Sequence, residues 1–253
     1  MCIRKYHSIT IFLFFTSIAV SPLRAQVPSI NPTRPSLTNS PGLNPVHALE
    51  FETGISSLMS SSDPTMWSLP VTLRYTISQH WEVRLMTDGL LLPFGGATSV
   101  TFTRSAAYWV QYDLTPDADE NAIHWALGGG SYCPDLSASI PFGEWSHSAM
   151  VSLQRSVLNF TVVSNIIAGV TSADGSTTIT PAATLQCSRS VAEGVTPFID
   201  GMYTFASGGN EADWKAMLGV GYAVNPGLIL DAAWMVGKGD VMQLTAGISL
   251  QIN

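Results

Sequence analysis

Beyond its first 25 residues the chain has no apolar run near the roughly 20 residues that a membrane-spanning helix requires. From His47 onward it is instead built of runs of about 10 to 13 residues in which apolar side chains alternate with polar or small ones. The last run is the clearest. Leu244, Ala246, Ile248, Leu250 and Ile252 fall on one face of an extended strand, and Gln243, Thr245, Gly247, Ser249 and Gln251 on the other. Leu69, Val71, Leu73, Tyr75 and Ile77 alternate in the same way with Thr72, Arg74 and Thr76, and Trp214 to Tyr222 repeats the pattern. A soluble sandwich also alternates, but its outer face carries many Lys and Glu. Here charged residues are 11% of the chain and hydrophobic ones 46%, against about 25% charged in ordinary soluble domains. Lipid offers no partner to backbone N–H and C=O groups, so an apolar chain without spanning helices must close its strands on themselves. The expected fold is all-β, a transmembrane antiparallel up-and-down β-barrel of about 12 strands.

The runs lie at 47–59, 66–77, 80–90, 99–113, 121–133, 145–155, 158–169, 177–188, 194–206, 212–224, 228–237 and 241–252. An even number brings both termini of the chain to one side, here expected to be the periplasm. The tight connections Ser78-Gln79 and Asn225-Pro226-Gly227 then fall inside, as does the longer acidic turn Thr115 to Glu120, while Pro134 to Glu144 falls outside. Tyr75, Trp81, Tyr112 and Tyr222 would mark one membrane interface. Trp67, Trp145, Phe205, Trp214 and Trp234 would mark the other.

Residues 1–25 have the layout of a secretory signal: Arg4 and Lys5, the apolar run Ile9 to Val20, then Pro22 and small residues to Ala25. Cleavage is expected between Ala25 and Gln26, with export by the general secretory route to the bacterial outer membrane. Residues 26–46, rich in Pro, Asn, Ser and Thr, are expected to form an extended segment at the periplasmic mouth, and residues 47–253 the barrel. Loss of Arg4, Lys5 and Arg24 from the 11 basic residues leaves 8 against 18 acidic ones, a net charge near −10, which argues against a nucleic-acid partner. Cys133 and Cys187 are far apart without metal-type spacing, and are open to reading as a disulfide or as two wall thiols.

Strand parity sends Glu50, Glu52, Arg74, Glu82, Arg84, Asp88, Asp113, His124, Asp200, Lys215 and Asp231 into the lumen. Opposed charges there either set the selectivity of a pore or pair to plug it, with Arg74 and Arg84 expected to meet Glu50, Glu52 or Glu82. Arg104 lands on the lipid face, at a rim or beside a bulge. No catalytic constellation emerges. His147 and Ser148 are neighbours on one strand and point to opposite faces, so they cannot act as base and nucleophile together. His47, His80 and His124 lack ligand spacing, so no metal or cofactor is expected, and Gly128-Gly129-Gly130 is read as easing strand curvature.

The stretch Arg34-Pro35-Ser36-Leu37-Thr38-Asn39-Ser40-Pro41, followed by Leu49-Glu50-Phe51-Glu52-Thr53-Gly54, resembles the opening of the outer-membrane barrels of the MetA-pathway of phenol degradation. Asp231 in an apolar run and Gly247 near the end are similar too. The chain departs from that pattern at Val46-His47, where a Gly is usual, and at Asn253, where an aromatic is common. The resemblance implies an outer-membrane transporter of hydrophobic or aromatic compounds with no catalytic motif. The expected role is thus passive or facilitated diffusion of small molecules, with a plugged structural or ligand-binding barrel as the alternative and an outer-membrane hydrolase as the remote one. The expected partners are membrane lipid and lipopolysaccharide, the outer-membrane insertion machinery and a small solute.

Overall fold

The computed structural model describes residues 32–33, 36–60, 65–93, 101–103, 105–119, 122–136, 145–173, 176–208 and 211–252. They form twelve antiparallel strands: β1 (Leu49–Met59), β2 (Met66–Thr76), β3 (Trp81–Pro93), β4 in two pieces (Thr101–Phe102 and Ala106–Asp113), β5 (His124–Cys133), β6 (Ser146–Val157), β7 (Phe160–Ala173), β8 (Ser176–Ser188), β9 (Val195–Thr204), β10 (Asp213–Asn225), β11 (Leu228–Gly237) and β12 (Val241–Ile252). Each pairs with its neighbours in sequence. β1 also pairs along its length with β12, Leu49 opposite Ile252 and Met59 opposite Met242, so the sheet closes into a barrel. Among the described residues there is no helix.

Burial along the strands is inverted relative to a water-soluble protein. Leu85, Ile166, Ile199 and Leu218 are 60%, 67%, 59% and 56% exposed, while Glu50, Glu82, Gln111 and Ser152 are fully buried. An apolar wall outside and a polar interior is the arrangement that surrounding lipid imposes. The strands follow the alternating runs to within a few residues at most ends. The largest shift is at the run expected over 158–169, which occupies Phe160–Ala173. Leu158 and Asn159 both adopt left-handed backbone, φ 52° and 66°, and form a two-residue hairpin turn. That turn geometry matches the twist of the flanking strands. Arg104 lies outside the described residues.

Two local readings are corrected. Gly128 and Gly130 are explained by close approach rather than by strand curvature. The indole of Trp109, on the neighbouring strand, lies over both. A Cβ on Gly128 would sit 2.4 Å from Trp109 Cζ2, and one on Gly130 2.1 Å from the Tyr108 carbonyl oxygen and 2.8 Å from Trp109 Cε3. The segment placed at the periplasmic mouth is also elsewhere, since its described part, Thr33 and Ser36 to Asn44, contacts side chains of the barrel interior.

Because Gly128 seats the ring of Trp109, its cost of substitution depends on that ring. Gly128→Ala is expected to destabilise the folded barrel by about 1–3 kcal/mol through overpacking. The same change in a Trp109→Ala background is expected to cost a small fraction of that, measured by urea unfolding in detergent micelles. Equal costs in both backgrounds would sink this account of the glycine run.

Candidate functional site in the barrel lumen

Thr33 and Ser36 to Asn44 belong to a strap inside the barrel that touches the inner face of β1, β3, β4 and β6 to β11 and leads into β1. Asp200, on β9, is its principal anchor. The carboxylate accepts hydrogen bonds from the Leu37 and Thr38 backbone amides at 2.7 and 3.1 Å and from Thr38 Oγ1 at 2.7 Å, with Ser36 Oγ a further 2.7 Å away. Gln186 donates to Ser36 Oγ at 2.9 Å. The Asn165 side-chain amide then pairs with the peptide of residue 39. Its Oδ1 accepts from Asn39 N at 2.7 Å and its Nδ2 donates to Asn39 O at 2.8 Å, where Ser152 Oγ also donates at 2.7 Å. Gln111 Nε2 donates to the carbonyls of Ser40 and Pro41, each at 2.9 Å, and Ser40 Oγ donates to Gln154. Leu37 packs against an apolar patch of Phe198, Met217, Ala233 and Met235. A segment without periodic apolar residues cannot join a sheet, but its backbone and its Ser, Thr and Asn side chains can satisfy buried polar groups.

On the other side of the lumen lies an ion network. Arg74 Nη1 is 2.9 Å from Glu50 and 3.2 Å from Glu52, and Nη2 is 3.0 Å from Glu82. Arg84 Nε is 2.8 Å from Glu82, Nη2 donates to Gln111 at 2.7 Å, and Nη1 donates to Asn39 Oδ1 at 2.9 Å. The register explains the cluster. Glu50 is opposite Arg74, and Arg74 is opposite Arg84, all on the inward face. Two arginines facing each other repel, and Glu82 lies between them and binds both. Three carboxylates against two guanidinium groups leave an acidic excess, which the strap helps to solvate. Thr33 N and Oγ1 donate to Glu52 at 2.8 Å each, and Asn44 Nδ2 donates to Glu50. Desolvating an ion costs several kcal/mol, so donors beyond the two guanidinium groups help to hold these carboxylates.

The other predicted residues are dispersed. Asp88 is on an exposed part of the inner wall, where its carboxylate accepts from Tyr132 OH at 3.0 Å. Asp113 is buried, but its Oδ1 caps the following turn through Thr115 N at 2.8 Å. Asp231 is buried against Gly247, where a Cβ would come within 3.0 Å of both carboxylate oxygens. Lys215 and His124 are half-buried on β10 and β5. Cys133 and Cys187 are free thiols on separate strands.

Sequence reasoning missed the strap's course and the contributions of Gln111, Ser152 and Asn165. The signal available was their fully inward parity on otherwise apolar or small-residue strands. It also missed a cross-strand row on the outward face. Ser131 Oγ is 3.0 Å from Tyr108 OH and 2.7 Å from His147 Nδ1. Ser148, by contrast, is on the opposite face from His147.

No family model and no curated protein matches the sequence. Solved structures do share its architecture. An outer membrane channel from Pseudomonas putida F1 superposes with a TM-score of 0.60 at 12% identity, covering 88% of this chain and 100% of that one. The NanC porin gives 0.59 at 7% identity over 79% of this chain and 98% of its own, and the KdgM porin 0.54 at 7% over 80% and 99%. At such identities the likeness is one of fold.

Removing one member of a buried ion network leaves the others uncompensated, which typically costs 3–5 kcal/mol. Arg74→Gln strands three carboxylates together and is expected to lower barrel stability by about that amount. Arg74→Lys is expected to recover only part of it, because an ammonium cannot span the same acceptors. Urea unfolding in phospholipid vesicles measures both, and a loss under about 1 kcal/mol for Arg74→Gln would show that the network contributes little.

Proposed function

We propose that the chain is an outer-membrane channel for the passive or facilitated diffusion of small molecules, held closed at rest by its own strap. The observation that carries this reading is the strap itself, a segment outside the sheet that is held in the lumen by hydrogen bonds and one apolar contact. A lumen built only to be solid can be filled by its own wall side chains, and a separate segment is the arrangement that can be withdrawn. The fold shared with outer-membrane channels supports the same reading. The barrel then sits in the outer membrane after export through the secretory route and insertion by the outer-membrane machinery. Its apolar wall meets lipid and lipopolysaccharide, and the first and last strands both have their outer chain ends on the periplasmic side. Glu50, Glu52, Arg74, Glu82, Arg84, Asp88, Asp113, Asp200, Lys215 and Asp231 line the path and give it an acidic balance.

Phe198, Met217, Met235 and the indole of Trp109 add an apolar share to that lining, which suits small hydrophobic or aromatic solutes. The reading assigns no catalytic group and needs no cofactor. The plugged, structural barrel is the competing reading, and it differs in one respect only: withdrawal of the strap opens nothing.

The expected result in planar bilayers is that a chain lacking residues 26–41 conducts severalfold more than the full chain. Its reversal potential in a salt gradient should show a preference for cations, because the acidic lumen attracts them. If the deleted chain is folded by circular dichroism and heat-modifiability yet conducts no more than the intact one, the structural reading replaces the channel.

A further inference from the structure

The contacts that hold the strap divide between its main chain and its side chains. Asp200 accepts the amides of residues 37 and 38. Asn165 takes both the N–H and the C=O of residue 39, and Gln111 donates to the carbonyls of residues 40 and 41. The main chain of five successive residues, 37 to 41, is therefore read by inward side chains of β4, β7 and β9. Side chains of the strap are read as well: the hydroxyls of Ser36 and Thr38 donate to Asp200 and that of Ser40 to Gln154. Leu37 enters the patch of Phe198, Met217 and Met235, and Asn39 Oδ1 meets Arg84. Carboxamides and a carboxylate spaced to match consecutive amides recognise an extended peptide, since only a polyamide presents N–H and C=O groups alternately along its length.

We infer that the lumen is a peptide-binding groove, and that oligopeptides with an aliphatic residue followed by short hydroxyl or amide side chains occupy it from solution when the strap is withdrawn. The strap is then the resident ligand, favoured over free peptides by the high effective concentration of a tethered segment. The inference rests on the channel reading for the route by which a peptide arrives, and extends it from small solutes to short peptides. It does not depend on that reading for binding itself. The apolar patch accepts one aliphatic side chain, and the Asp200 carboxylate disfavours an acidic residue at the next position.

The test uses the chain lacking residues 26–41, refolded in detergent, and a fluorescent synthetic peptide of residues 32–41. Anisotropy should show saturable binding to the deleted chain and none to the full chain, whose groove is filled. Asp200→Asn and Asn165→Ala in the deleted chain should each weaken binding at least about tenfold, the effect of losing hydrogen bonds to a charged or bidentate partner. A peptide of scrambled sequence should bind at least about tenfold more weakly. Equal binding of the scrambled peptide, or no binding of the native one, overturns the inference. Should the deleted chain fail to refold alone, it is refolded with peptide present. Rescue by the native but not the scrambled peptide supports the groove, and rescue by both or neither overturns it. Conductance separates this outcome from the channel reading. Peptide binding without conductance removes the channel and leaves the groove, and conductance indifferent to peptide does the reverse.

Discussion

Closure of β1 on β12 is the constraint from which the rest of the molecule follows. Leu49 opposite Ile252 and Glu50 opposite Gln251 place mostly apolar partners outside and mostly polar or small partners inside along the seam. A slip of one residue would exchange the two sets on that strand, putting Glu50 and Glu52 into lipid and Leu49 and Phe51 into the lumen. The register is fixed by that penalty rather than by any single hydrogen bond. Once it is set, no unpaired sheet edge faces the bilayer, and each successive hairpin inherits the same division of faces.

An inward-polar barrel has to satisfy its own interior. Several inward positions are small, among them Ala126, Gly128, Ala182, Gly219, Ala233 and Gly247. They leave space that the larger side chains of the opposite wall do not fill. Two of these sites seat rings directly, Gly128 beneath Trp109 and Gly219 beneath Phe198. The remaining volume lies between an ionic wall on β1 to β4 and an apolar patch on β9 to β11. The strap suits it because it is amphipathic across its width, with Leu37 directed at the patch and Asn39 at Arg84. The acidic excess of the ion network and the single carboxylate of Asp200 both receive donors from the same segment, so withdrawing it exposes charge on two sides at once.

The strands were legible because period-two alternation is a direct consequence of a wall with two unlike solvents. The ion network follows from the same parity, since Arg74 and Arg84 can avoid hydrocarbon only by facing Glu50, Glu52 and Glu82. The strap's course was not legible in that way. Nothing periodic marks Ser36 to Asn44, and a Pro- and Asn-rich stretch reads equally as a linker outside the barrel. What places it inside is complementarity to Asp200, Asn165 and Gln111, residues 67 or more positions away in sequence, which no local pattern reports. The glycine run failed for a related reason. Gly128 and Gly130 look like relief of strand bending until the ring of Trp109, from the preceding strand, is seen to need the space.

The described part of the segment that carries the resemblance to outer-membrane barrels, Ser36 to Pro41, lies in the lumen, and the geometry gives a physical reason for its residue types. Thr38 is one of the few residues that can give Asp200 both a backbone amide and a side-chain hydroxyl at hydrogen-bond distance. Asn39 offers a carbonyl oxygen to a guanidinium while its own peptide is held by Asn165. Pro41 is fully buried with its carbonyl accepting from Gln111. A different residue there would carry a backbone N–H into the lumen in need of an acceptor, whereas proline has none to satisfy. The motif is therefore a set of donors, acceptors and omissions matched to a wall, and it can be read as a binding sequence even though it adds no strand to the sheet.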